Sequence, residues 1–207
     1  MPQATLTELV ALIRSAPPSP GGTSIVLIDG PAGSGKTTLA SRLAVALGGA
    51  EAPGPGTFDP AAPTAADSPV QIIHADDMYE GWTGMSSLDT VLVEQVLMPV
   101  SAGETGGFEM WDWHRHERTH HIAVPPGPVL IAEGVGVGRR AAREVASLLL
   151  WIEAPDDLRL QRGLARDGAH VRHEWMAWMR DEATHFAAHS TRDHAHVILD
   201  GTAPIPD

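Results

Sequence analysis

The sequence predicts an α/β protein: a parallel sheet with helices on both faces, a three-layer α/β/α sandwich. Two observations carry this. Short apolar runs, Ile25–Ile28, Val70–Ile73, Pro128–Ala132, Leu148–Ile152 and His196–Leu199, have the length of buried strands. They alternate along the chain with segments whose apolar residues recur at helical spacing, the pattern of crossover connections between parallel strands. A third observation fixes where the sheet does its work. The first strand runs directly into a glycine-rich turn and then into a helix with Leu39, Leu43 and Leu47 on one face.

That turn, Gly30, Pro31, Ala32, Gly33, Ser34, Gly35, Lys36, Thr37, fills G-x-x-x-x-G-K-[ST] at every fixed position and continues into Thr38. Glycines let backbone N–H groups wrap around phosphate oxygens, and a helix N-terminus turns its unpaired donors toward the anion. Lys36 is expected on the β- and γ-phosphates. Thr37 is expected to give its hydroxyl to Mg²⁺.

The remaining elements follow in order. Thr5–Arg14 places Leu6, Leu9, Val10 and Ile13 on one face of a short helix, and Ala16–Thr23 is a Pro/Gly linker. Residues 48–68, rich in Ala, Pro and Gly, read as a surface excursion. Val70–Ile73 ends in His74-Ala75-Asp76-Asp77, and ligands in open α/β sheets bind beyond such carboxyl ends. Ser87–Val100 carries a helical face of Leu88, Val91, Leu92, Val96 and Leu97. Gly103–His121 gathers aromatics, His, Arg and Glu. Pro128–Ala132 closes on Glu133-Gly134, and Leu148–Ile152 leads through Pro155, Asp156 and Asp157 into a helix. Val171–His189 is a further helix, with Trp175, Trp178 and Met179 expected in packing. The expectation is one domain over 1–207, with an N-terminal helix in 1–15 and a lid region in 159–170.

The balance of 14 Lys+Arg against 26 Asp+Glu, a net charge of −12, argues against general binding to nucleic acid or anionic membranes. No stretch has the roughly 18 apolar residues of a membrane span. The absence of cysteine fits a reducing compartment. A soluble, cytoplasmic protein is expected, with homo-oligomerisation left open.

Phosphoryl transfer needs a carboxylate near the acceptor hydroxyl, a carboxylate on the metal shell and positive charge over the transferring group. Asp76 or Asp77 suits the first role and Glu133 the second. Arg159, Arg162 and Arg166 share one side of a helix and suit the third. His114, His116, His120 and His121 suit a flat substrate better than a structural zinc site, because no thiols accompany them.

The phosphate loop, H-A-D-D-M-Y (His74–Tyr79), Leu88-Asp89, W-D-W-H-R-H-E-R (Trp111–Arg118), I-A-E-G (Ile131–Gly134) and R-L-Q-R-G-L-A-R-D (Arg159–Asp167) occur in the order seen in one group of enzymes. The chain resembles P-loop kinases of the uridine kinase-like family, which includes uridine–cytidine kinases, nicotinamide riboside kinases and phosphoribulokinase. The resemblance implies the P-loop nucleoside triphosphate hydrolase fold, ATP and Mg²⁺ as cofactors, and phosphorylation of a small-molecule hydroxyl, with a pyrimidine nucleoside as first reading. It implies Asp76 as general base, Arg162 and Arg166 as lid arginines, and a metal shell of Thr37, Asp76 and Glu133. It places Asp77, Tyr79, Asp89, Trp111, His116 and Arg118 around the acceptor, with Asp89 on a ribose diol and Trp111 and His116 on the base. A nucleoside monophosphate, a vitamin precursor or an antibiotic hydroxyl is the alternative acceptor. Arg115, Arg118, Arg139 and Arg140 are the candidates to meet an acceptor phosphate. A non-catalytic nucleotide-dependent switch is the reading of another class.

Overall fold

A computed structural model describes residues 3–51, 53–57 and 68–207. The excursion expected over 48–68 therefore lies partly outside the described residues.

Five strands form the parallel sheet: β1 (Ser24–Asp29), β2 (Val70–His74), β5 (Val129–Glu133), β6 (Leu148–Glu153) and β7 (Val197–Asp200), in the order β2-β5-β1-β6-β7. The central strand is buried on both faces and splits its side chains between two cores. Ile25 and Leu27 join one cluster with Leu130, Leu149, Phe108 and Trp178. Val26 and Ile28 join the other with Leu9, Leu39, Leu43 and Leu150. That alternation is why the run is continuously apolar, and it makes the three layers.

On the second face lie α1 (Leu6–Ser15) and α2 (Lys36–Ala46). Thr5 starts α1 with a capping box: its hydroxyl accepts from the Glu8 N–H at 3.2 Å, and the Glu8 carboxylate accepts from the Thr5 N–H at 2.8 Å. The segment read as one helix over Ser87–Val100 is helical but wider than expected. Its nine residues Asp89–Leu97 wind as a π-helix before α3 (Met98–Ser101). Leu88, Val91, Leu92, Val96 and Leu97 are all buried, so the apolar face was read correctly.

Gly103–His121 forms an antiparallel hairpin, β3 (Gly106–Asp112) and β4 (Glu117–Val124), outside the main sheet. Asp112 shapes its turn by accepting the N–H groups of His114 and Arg115 at 2.9 and 3.0 Å. The chain then adds α4 (Arg140–Arg143), α5 (Asp156–Asp167) and α6 (Arg172–His189). Among the described residues no helix is long and apolar enough to cross a membrane.

Candidate active site

The carboxyl ends of β1, β2 and β5 lie side by side. His74 is in register with Glu133, and Glu133 with Ile28. A cleft of about 1250 Å³ opens above them. The phosphate loop forms its floor. At Gly30 φ is +141°, and an added Cβ would lie 2.0 Å from the Ile152 carbonyl oxygen, so no other residue fits. Gly35, at φ +105°, turns the chain into α2, leaving the first N–H groups of that helix at the loop. The Lys36 ammonium donates to the Gly30 and Pro31 carbonyls at 2.8 and 2.9 Å. Ser34 is buried, and its hydroxyl has no hydrogen-bond partner. Ala32, Gly33, Ser34, Gly35, Lys36, Thr37 and Thr38 all line the cleft.

Two carboxylates absent from the sequence reading hold this loop in place. Asp29, fully buried, accepts from the N–H groups of Gly30, Gly136 and Gly138 at 2.7, 2.8 and 2.7 Å. Burial raises its pKa to about 6 against the opposing pull of those three bonds. Glu182 on α6 accepts the Ala32 N–H at 2.8 Å and pairs with Arg159 at 2.8 Å. Arg159 also donates to the Ala32 carbonyl at 2.9 Å and meets Asp156 at 2.7 Å. It is therefore a buried brace beneath the loop, whereas Arg162 and Arg166 line the cleft.

Glu133 sits beside Thr37. The Thr37 hydroxyl donates to its Oε1 at 3.0 Å, and His74 Nδ1 meets the same oxygen at 2.5 Å. Burial disfavours the charged imidazolium of His74, but the bond to Glu133 and the charges of Glu133, Asp77 and Asp76 outweigh it and raise its pKa. Asp76 follows β2 at the cleft wall. Its carboxyl is raised above the ordinary range, by burial first and by Glu133 second, while Lys36 and Arg166 pull it down. Two carboxylates facing a lysine and a hydroxyl suit phosphates and a hard cation that keeps part of its water shell. Among the described residues no group of three or more His, Cys, Asp or Glu forms a protein-only metal centre.

Around the acceptor side the expectations divide. His116, at φ +54° in the hairpin turn, lines the cleft, as does Tyr79, whose hydroxyl is turned away to the Val135 carbonyl. Asp77 accepts the Gly56 N–H at 2.6 Å, tying residues 53–57 to the end of β2. Burial raises its pKa to about 6 despite that bond. Gly54, Pro55 and Gly56, for which the sequence suggested no chemistry, thereby come to line the cleft.

Asp89, Trp111 and Arg118 do not line it. Asp89 pairs with buried Arg139 at 2.9 Å. Arg118 donates to Glu80 at 2.9 Å and to the Glu109 and Met78 carbonyls, tying the hairpin to the loop after β2. Trp111 loses its place to strand alternation: Phe108 and Met110 take the core face, sending Trp111 to the opposite one. Trp113, past the strand end, escapes that alternation, and its indole N–H donates to the Asp76 carbonyl at 2.8 Å. The alternating W-D-W was the available signal, since a period of two admits either tryptophan. Trp175 and Trp178, expected in packing, are buried but also reach the cleft, with Trp82 between them and Trp113.

Arg162 donates to the carbonyls of Gly201 at 2.8 Å and Thr202 at 3.1 Å, where the chain leaves β7. Arg166 pairs with Asp167 at 2.6 Å and stands 6.0 Å from the Trp175 ring centroid. The Asp167 bond raises its pKa, helped by the charges of Asp76 and Glu133.

Among solved structures, the chain is similar to a "Possible Uridine Kinase" from Bacillus stearothermophilus, at 18% identity and TM-score 0.62, covering 94% of this chain and 97% of that one. It is also similar to a "putative fructose transport system kinase" from Silicibacter sp. TM1040, at 20% identity and TM-score 0.68, covering 95% and 99%. At these identities the likeness establishes a shared fold. No curated protein sequence matches at a significant level. Residues 25–183 match the sequence model of the phosphoribulokinase / uridine kinase family, a span running from β1 through Glu182 of α6. By that match the chain belongs to the phosphoribulokinase / uridine kinase family, and its phosphate loop is that of an ATP-dependent kinase.

Proposed function

We propose that this kinase transfers the γ-phosphoryl group of ATP to a hydroxyl of a small molecule, with Asp76 as general base. The observation that carries the reading is the convergence of Asp76, Lys36 and the Thr37–Glu133 pair on one cleft floor. Lys36 and the loop N–H groups stabilise charge on the phosphates. Thr37 and Glu133 would hold magnesium, with Asp76 beside them, and His74 fixes the Glu133 carboxylate through its 2.5 Å bond. When bound, the ion neutralises phosphate charge and orients the γ-group for in-line attack. Asp76 accepts the hydroxyl proton as the acceptor oxygen bonds to phosphorus and the bond to the β-phosphate oxygen breaks, releasing ADP. Its raised pKa makes it a better proton acceptor than an exposed aspartate. Arg166 adds positive charge on the side of Asp76, and Arg162 secures the loop after β7.

A pyrimidine nucleoside is the acceptor the resemblance implies. Of its three named contacts only His116 lines the cleft, so the assignment rests on the family more than on Asp89 or Trp111. The cysteine-free, acidic composition favours work in the cytoplasm on a small molecule.

The test is ADP release from ATP and Mg²⁺ across nucleosides, sugars, vitamin precursors and antibiotic alcohols. Asp76→Asn is expected to lower acceptor-dependent turnover at least about 10²-fold while leaving ATP affinity nearly intact. Equal loss of both would make Asp76 a metal ligand or a structural residue. Hydrolysis that no acceptor accelerates would favour the nucleotide-dependent switch.

A further inference from the structure

Resting on the kinase reading, we infer that the acceptor is an uncharged ring compound, a nucleoside or a free sugar, that lies against a tryptophan wall and carries no phosphate of its own. Two independent features of the cleft point there.

The first is the wall. Trp82 and Trp113 are half-buried and meet edge to face, with ring centroids 5.6 Å apart. The buried rings of Trp175 and Trp178, which also reach the cleft, each stand 6.2 Å from Trp82, and Tyr79 packs on Trp178 at 4.9 Å. The Trp82–Trp113 pair thus presents an aromatic corner to the cleft, with Trp82 packed on both the Trp175 and the Trp178 ring. Trp113 links this surface to the chemistry through its bond to the Asp76 carbonyl at 2.8 Å. A ring stacked on the Trp113 indole is held beside the proposed base. Indole faces take sugar C–H groups and flat bases alike, so both sources share the recognition.

The second is the accounting of cations. An acceptor phosphate needs several uncommitted arginines or lysines around it. The four arginines that the sequence offered for this are all placed elsewhere. Arg115 pairs with Glu117 at 2.7 Å, Arg118 with Glu80 at 2.9 Å, and Arg139 is buried on Asp89 at 2.9 Å. Arg140 stands on α4, and none of the four lines the cleft. Arg166 is the arginine near the wall, and its guanidinium is already bonded to Asp167 at 2.6 and 3.0 Å. Lys36 and Arg162 are bonded to carbonyls at the phosphate loop and the β7 exit, and Arg42 on α2 is bonded to the Ile205 carbonyl and the Asp207 carboxylate. Asp76, Asp112 and Asp167 line the same cleft, which disfavours an anion beside them. His114, His116 and His170 supply hydrogen bonds for hydroxyls or a base edge.

The experiment compares matched pairs in ADP release: uridine with uridine monophosphate, cytidine with its monophosphate, fructose with fructose 6-phosphate, and ribose with ribose 5-phosphate. The uncharged member is expected to win in whichever pair responds, by about 10²-fold or more in kcat/KM. The responding pair identifies base or sugar. Trp82→Leu is then expected to raise the acceptor KM about tenfold with the KM for ATP unchanged, and Trp82→Phe to restore most of it. A purely structural Trp82 would move both KM values or lower the yield of folded protein. Preference for a phosphorylated acceptor, or an unchanged acceptor KM in Trp82→Leu, overturns the inference and leaves the kinase standing. No response from any pair, with a response to a vitamin precursor or an antibiotic alcohol, overturns the inference and leaves the kinase standing; silence from every acceptor overturns the kinase reading, and this inference with it.

Discussion

The two halves of the cleft are built in opposite ways. On the phosphate-loop side, seven consecutive residues, Ala32–Thr38, line the cleft, and Asp29 and Glu182 brace the loop from outside it. On the side where we propose that the acceptor binds, the lining comes from several segments. Gly56, Asp76, Trp82, Trp113, Arg166 and Trp175 come from separate stretches of chain. A loop binding an invariant group, a chain of phosphates, can be encoded locally in backbone N–H groups. A surface for a variable acceptor is assembled from side chains that folding brings together, and so changes without disturbing the loop.

The sharpest way to break this contrast is at the nucleotide side. Lys36→Ala is expected to weaken ATP binding and lower turnover together, by about 10²–10³-fold in rate. Calorimetric titration with ATP, run beside ADP release, checks it, and an unaltered variant would remove the phosphate-loop assignment. Next comes the brace. Glu182→Ala leaves buried Arg159 with only the exposed Asp156 carboxylate and frees the Ala32 N–H, at an expected cost of about 3 kcal/mol. Thermal unfolding would fall by about 2–4 °C for each kcal/mol. If stability drops while ATP affinity holds in the remaining folded protein, the cradle is self-sufficient and the contrast is sharper.

The smallest effect concerns pH. The folded pKa of Asp29, about 6, exceeds the ordinary 3.8, so between those values the folded state binds more protons than the unfolded. Its contribution to stability is therefore full below about pH 4 and lost as pH rises through about 6. Asp29→Asn should be less stable, because an amide N–H₂ faces backbone donors. It should also show a flatter decline in melting temperature between pH 4 and 7. An identical slope in both proteins would sink the assignment.

The legible parts were those whose physics is short-ranged. Continuous apolar runs fitted buried parallel strands, and β1, β2, β5, β6 and β7 all appear within a residue or two of them. That Asp76 and Glu133 line the cleft was readable because strand ends in such sheets open onto it. The hairpin was harder: Trp111 and Trp113 share one parity of the alternation, so a period of two could not rank them. Arg159, Arg162 and Arg166 share a helical side, yet one is buried under the phosphate loop and two line the cleft. Only the position of α6, with Glu182, separates them.

Sequence alone was thus enough for the sheet, the phosphate loop and the strand-end acids, since each depends on spacing within about ten residues. The tryptophan wall, the buried brace beneath the loop and the diversion of Asp89 and Arg118 into ion pairs came from the packing of distant elements. Contacts of that kind join residues tens of positions apart, Trp113 to Asp76 or Glu182 to Ala32, and no local periodicity encodes which side chains will meet.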